Sequence, residues 1–212
     1  MQSPQLPQQL LPVSDPQPLL ETDWEEEGSL TCRRFHGLII TGESLSALDI
    51  KESVFERCRF LGCAMAKAEF IDVRFDGCDF SNSDLTDSYF RRCEFSGCKA
   101  VGALFRGARF FDTAFLRCRM EYAEFSGARL KDVLIAESGL QNASLTECRF
   151  QRTAFSQADF TSAVFFKTPL RGIDFTACDI DGITVSIEDL SGAVVTAYQA
   201  AGLSKLMGLV VR

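Results

Sequence analysis

Nine cysteines, one histidine and 29 acidic residues are the groups through which this 212-residue chain could do chemistry. Thiols ligate zinc, pair as disulfides, or act as nucleophiles beside a histidine. The spacing here points elsewhere. Cys58, Cys63, Cys78, Cys93, Cys98, Cys118, Cys148 and Cys178 all fall in one frame of five, with Ala, Ser or Thr at most of the intervening frame positions. No CxxC ligand set with flanking histidine exists, and His36 is the sole histidine. Neither a Ser–His–Asp arrangement nor a His-ligated metal set can be read from such a chain. No Walker or GxGxxG motif stands in a strand–helix setting. The expectation is a protein without catalysis, cofactor or metal, whose thiols serve as small buried hydrophobes.

What must position these residues is a repeat. From Leu30 to Val195 every fifth residue is apolar, at 34 successive positions, and 17 of the 19 Phe lie among them. Two residues before each such centre, from Ser53 to Ile183, stands Ser, Cys, Ala, Thr or Val in 25 of 27 cases. A period of five is neither the helical 3.6 nor the strand's 2. Repeats of this kind decide the whole architecture, so they are read first. Cys78-Asp79-Phe80-Ser81-Asn82 and Ser83-Asp84-Leu85-Thr86-Asp87 show the unit: a small residue, a large centre, and three positions left for solvent.

These units resemble the pentapeptide-repeat family. The resemblance implies an all-β fold, a right-handed quadrilateral β-helix in which each pentapeptide is one side and four sides make a turn. Large centre and small partner would both point inward. Residues 20 apart would then stack, Cys58, Cys78, Cys98 and Cys118 among them, as would the ladder Phe55, Phe75, Phe95, Phe115, Ile135, Phe155 and Phe175. At about 4.8 Å per turn, about 8 coils give a rod of roughly 40 Å.

Four regions are expected. Residues 1–28 hold five of the six prolines, which forbids regular helix or central strand, so they form an extended arm, disordered or strapped along the rod. Its acidic end, Glu21 to Glu27, contains Trp24, which is placed to dock on the open first coil. Residues 29–52 form irregular capping coils, because Arg33 and Glu43 occupy the small column. Residues 53–195 are the β-helix proper, with an irregularity at Pro169, which brings no N–H to a parallel ladder. Residues 196–212 open with Thr196-Ala197-Tyr198-Gln199, a capping-box pattern for a short α-helix to about Met207. Gly208 ends it, and Leu209-Val210-Val211 reads as a short final strand. Tyr198, Ala201, Leu203, Leu206, Met207, Leu209, Val210 and Val211 make this tail apolar. It is either a cap on the open coil or a dimer seam.

Asp189-Leu190-Ser191-Gly192, Tyr198-Gln199-Ala200 and Leu206 to Val211 are similar to the C-terminus of the Qnr and MfpA group of that family, nearest to the loop-free chromosomal Qnr-like proteins of Gram-positive bacteria. The similarity implies a homodimer joined end to end through the tail, a rod about as wide as B-DNA. It also implies DNA mimicry, with DNA gyrase and topoisomerase IV as partners protected from quinolones or natural toxins. The plasmid-borne Qnr proteins interrupt the coil with two loops; here the frame runs unbroken, so no loop role carries over. The alternative is a structural or protein-interaction rod with an unrelated partner.

Charge bears on both. A net charge of −7 argues against an ordinary nucleic-acid binder, so no direct nucleic-acid contact is expected. The face centred on Phe70, Phe90 and Phe110 nevertheless carries nine basic and seven acidic groups. The candidate enzyme-facing patch is Asp159, Asp174, Asp179, Asp181, Glu188 and Asp189. The plain reading of those aspartates is that they suit tight turns. No apolar run is long enough to span a membrane and no signal-peptide pattern opens the chain, so a cytoplasmic location is expected.

Overall fold

In the computed structural model, residues 1–15, 19 and 29–210 are described. The expectations for Pro16, Pro18, Trp24 with its acidic neighbours, and Val211 lie outside them. The chain winds into a right-handed parallel β-solenoid of about seven turns closed by one short C-terminal helix. Pairing joins residues 20 apart: Ile50 with Phe70, Phe70 with Phe90, Phe90 with Phe110, Phe110 with Leu130. The slightly longer sequence count includes the end turns, which are the irregular ones.

Each turn is square because the backbone bends at every fifth residue. From Cys32 to Gly172 the residue two after each centre is left-handed, with φ between 49° and 79°. That conformation costs a non-glycine residue about 1–2 kcal/mol. Glycine gathers at this column for that reason, and also for space: a Cβ on Gly107 would lie 2.4 Å from Asp87 Oδ1 one turn away. Asp49–Glu56, Glu69–Asp76, Arg109–Leu116 and Arg129–Ala136 pass as single strands through one such corner, covering two adjoining sides. Over most of the rod the other two sides are held by single bridges, such as Asp79 with Lys99 and Asp84 with Leu104.

The interior is a set of aromatic columns. Phe35, Phe55, Phe75, Phe95 and Phe115 stack with centroids 4.3, 5.2, 4.6 and 4.7 Å apart and planes within 20°. Phe70, Phe90 and Phe110 do the same at 5.2 and 4.8 Å. Neighbouring columns meet edge-on, as Phe110 does with Phe105 and Phe115, so the rings alternate the two favoured aromatic geometries. Arg33 and Glu43 stay out of this core, while the centres Phe35, Ile40 and Leu45 of the same turns are buried. The ladder on the face of Phe90 and Phe110 ends with Arg149–Gln151, one turn before Pro169, whose nitrogen has no proton to give.

The arm is strapped to the rod. Leu11–Val13 pairs in parallel with Arg33–Phe35, adding a strand to the first turn. Upstream it runs down one corner: Gln5 N donates to Asp72 Oδ1 and Gln2 N to Asp112 Oδ1, both at 2.8 Å. Two turns separate those aspartates, about 9.6 Å, which three extended residues span.

Candidate functional site

The thiols sit where the frame puts them. All nine cysteines are free, and the eight of the small column are buried. Most donate to the carbonyl of a centre residue one turn back: Cys93 to Phe70 at 3.3 Å, Cys98 to Phe75 and Cys118 to Phe95 at 3.4 Å. Burial pushes Cys93 and Cys148 up to about 12. Contact with Cys118 and Cys78, then burial, raises Cys98 as well. These are structural thiols. His36 is exposed on the first turn, with Nδ1 3.4 Å from Glu56 Oε2. Among the described residues no three His, Cys, Asp or Glu side chains are grouped to hold a metal ion.

The surface is more informative at the distal end. Asp159 and Asp179 bridge in one column, with Asp181 on the same side. Asp174 lies on the preceding side, and Glu188 and Asp189 in the 3-10 turn Ile187–Leu190. The six therefore ring the last turns on more than one side. Three carry turn bonds of their own: Asp159, Asp174 and Asp179 accept from the backbone N–H of Thr161, Thr176 and Asp181 at 2.9, 2.8 and 3.2 Å. Burial pushes the Asp159 carboxyl up, but the hydroxyl and N–H of Thr161 and the Gln141 amide outweigh it, holding it below the usual range. Thr176 does the same for Asp174. Asp159 and Asp174 therefore stay ionised at neutral pH.

Beyond them the rod ends in an apolar surface. The capping box forms: Thr196 Oγ1 accepts from Gln199 N, and the Gln199 side chain accepts from Thr196 N at 2.8 Å. The helix runs Ala197–Leu203 and tightens to 3-10 over Ser204–Met207, ended by Gly208 at φ 74°. Gln199 Nε2 also donates to the carbonyls of Phe175 and Cys178, both at 2.8 Å, tying the helix to open-ended backbone of the last coil. No sequence rule isolates that double bond; the capping box was its one visible trace. Leu203 packs on the core, and Ala201 is half-buried beside it. Tyr198, Leu206, Met207, Leu209 and Val210 are exposed, Tyr198 by 79% and Val210 by 84%. The expected final strand is corrected here: Leu209 and Val210 form none, because the Leu209 N–H turns back to the Ser204 carbonyl at 3.3 Å and closes the 3-10 turn. Ile180, Ile183, Tyr198, Leu203 and Leu206 line a groove under the helix that also takes in Asp181 and Lys205. No helix among the described residues is long and apolar enough to cross a membrane.

Against known proteins, the family description "Pentapeptide repeat region" matches residues 29–105, 68–145 and 108–185. Among solved structures the chain is similar to QnrB1, described as a plasmid-mediated fluoroquinolone resistance protein. Identity is 19% and the TM-score 0.53, over 84% of this chain and 99% of that one. It is also similar to HetL, a pentapeptide repeat protein involved in heterocyst differentiation regulation from the cyanobacterium Nostoc, at 16% identity and a TM-score of 0.49, over 81% and 89% of the two chains. At these identities the likeness is one of fold. No curated protein matches the sequence.

Proposed function

The chain belongs to the pentapeptide-repeat family, and from that premise we propose a non-catalytic, DNA-mimicking protein that binds DNA gyrase and topoisomerase IV. Binding would protect them from quinolones or natural topoisomerase toxins. The observation that carries the reading is the pairing of an acidic last stretch of rod with an exposed apolar end. Two copies joined through Tyr198, Leu206, Met207, Leu209 and Val210 make a rod of roughly 70 Å, at about 4.8 Å per turn. The carboxylates of Asp159, Asp179 and Asp181 from both copies then flank its middle. A rigid array of carboxylates offers a cationic DNA-binding saddle what phosphates offer it, and steers encounter in the same way.

A supercoiling assay with gyrase and ciprofloxacin tests this. Protein at micromolar concentration restores supercoiling in the presence of drug, or inhibits the enzyme directly; neither effect removes the reading. Deleting residues 196–212 yields monomers by light scattering and abolishes protection, whereas persistent dimers place the seam elsewhere. A structural rod with an unrelated partner is the second reading. It is favoured by the turn bonds of Asp159, Asp174 and Asp179, which account for those side chains without any enzyme.

A further inference from the structure

Chain-wide charge conceals one face of the rod. Between Tyr89 and Gly172, the side centred on Phe90, Phe110, Leu130 and Phe150 presents eight basic residues and two acidic ones. Both acids are already satisfied. Asp132 takes a two-pronged pair from Arg152 at 2.5 and 2.7 Å. Asp112 accepts from Gln2 N, with the Met1 amine 3.8 Å away. Arg92 is spent on Asp72. The arm thus helps to silence the negative groups at this corner. Arg91, Arg109, Arg129, Lys131, Arg149 and Arg171 remain, with no hydrogen bond or ion pair from their side chains among the described residues.

Their placement is unfavourable for an isolated rod. Arg109, Arg129 and Arg149 stand in direct register in one column, each opposite a like charge on the next strand. Like charges directly opposite destabilise a sheet. The column Arg59, Asp79, Lys99, Arg119 on another side mixes signs instead, with Lys99 paired to Asp79 across the turn. We propose that this face binds the phosphodiester backbone of a nucleic acid, independently of whether the topoisomerase reading holds.

Three features select phosphodiester over an acidic protein segment. The cations lie on either side of the buried Phe90, Phe110, Leu130 and Phe150 column: Arg109, Arg129 and Arg149 in unbroken register on one side, Arg91, Lys131 and Arg171 on the other with Phe111 and Gln151 between them. Arg91 to Arg171 spans four turns, about 19 Å. Five of the six are guanidinium groups, whose fork matches phosphate. At one end Tyr89 and Phe111 are half-exposed, with ring centroids 5.6 Å apart and Arg109 5.4 Å above the tyrosine. Aromatic rings beside arginines are the platform on which unpaired bases stack. The acidic sides do not cancel this field, because screening confines each side's influence to about 8 Å at physiological salt.

The test is fluorescence anisotropy of labelled 20-mer oligonucleotides, single-stranded and duplex, titrated with the full chain from 50 mM salt upward. Binding of either supports the proposal, and a stronger single-strand arm assigns the aromatic pair a stacking role. With about four phosphates neutralised, log K against log salt falls with a slope of about −3 to −4. The variant Arg109→Gln/Arg129→Gln/Arg149→Gln loses about tenfold or more in affinity, and its slope shrinks by about 2 to 3. Arg59→Gln/Lys99→Gln/Arg119→Gln removes the same charge from another side and stays within about twofold. Should the first variant not fold, the slope of the native protein and competition by poly-glutamate still decide. No binding at 50 mM salt, equal losses in the two variants, or displacement by poly-glutamate as readily as by oligonucleotide overturns the proposal.

Discussion

The middle of the rod and its last two turns obey one frame of five yet differ in kind. In the middle, Phe95 and Phe115 stack at 4.7 Å and 12°, and strands of eight residues run through a corner. At the distal end Phe155 and Phe175 are tilted by 36° at 5.7 Å, the left-handed corner is missing at Ala177 and Ile187, and pairing is reduced to single bridges. A coil in the middle has identical neighbours above and below, so each ring and each N–H is matched twice. A terminal coil has one neighbour and must meet something else: the helix here, and the exposed apolar side chains beyond it. In a quasi-one-dimensional fold, stability therefore collects in the middle and recognition at the ends.

The largest way to break that contrast is Phe110→Ala. Its ring stacks on Phe90 and meets Phe105 and Phe115 edge-on, so truncation costs about 3–5 kcal/mol. The same truncation in the distal turns, Phe175→Ala, removes a ring tilted against Phe155 and not stacked on it, and costs less, about 3 kcal/mol. Urea denaturation of the two variants measures the difference, and equal costs would erase the distinction between middle and end. Gln199→Ala sharpens it. Two carbonyls of the last coil lose their donor and the capping box is halved, a loss of about 1–3 kcal/mol. Hydrogen exchange should quicken in residues 197–203, whose helix loses its anchor, and not around Phe110.

The smallest effect concerns the corner where the arm lies. Burial pushes the Asp72 carboxyl up, but Arg92 and the Gln5 N–H outweigh it, so its pKa lies below the usual carboxylate range. A depressed native value means stability that is present above the ordinary pKa and lost as pH falls through the native one. Arg92→Met leaves burial with less opposition, so the acid loss begins at higher pH; Arg152→Met beside Asp132, where the arginine is exposed, moves it less. Melting temperatures between pH 3 and 7 check the order of the two variants.

Much of this was legible in the residues. The apolar centres and the small partner column are legible in the spacing, and the family resemblance implies that both point inward, as the buried centres and thiols do. Phe111 and Phe166 are the two Phe outside the frame, and both point away from the core. The left-handed corner column leaves only a faint trace in the glycines at Gly37, Gly42, Gly62 and Gly77, since Arg92, Glu137 and Lys167 occupy it as well. The plain reading that the aspartates of the acidic patch suit tight turns holds for Asp159, Asp174 and Asp179, which accept turn N–H bonds; which three of the six do so is fixed only by the closed coil.

The sequence by itself determined the repeat, and with it the parallel pairing and the content of the core, since every unit buries a large and a small side chain at fixed positions. Only the tertiary structure decided which outward charges cancel. Arg152 finds Asp132 and Arg92 finds Asp72 across one full turn, and the arm reaches Asp112 from 110 residues away. Those partners become neighbours only when four sides have closed into a turn, which leaves one side of the rod with unanswered positive charge.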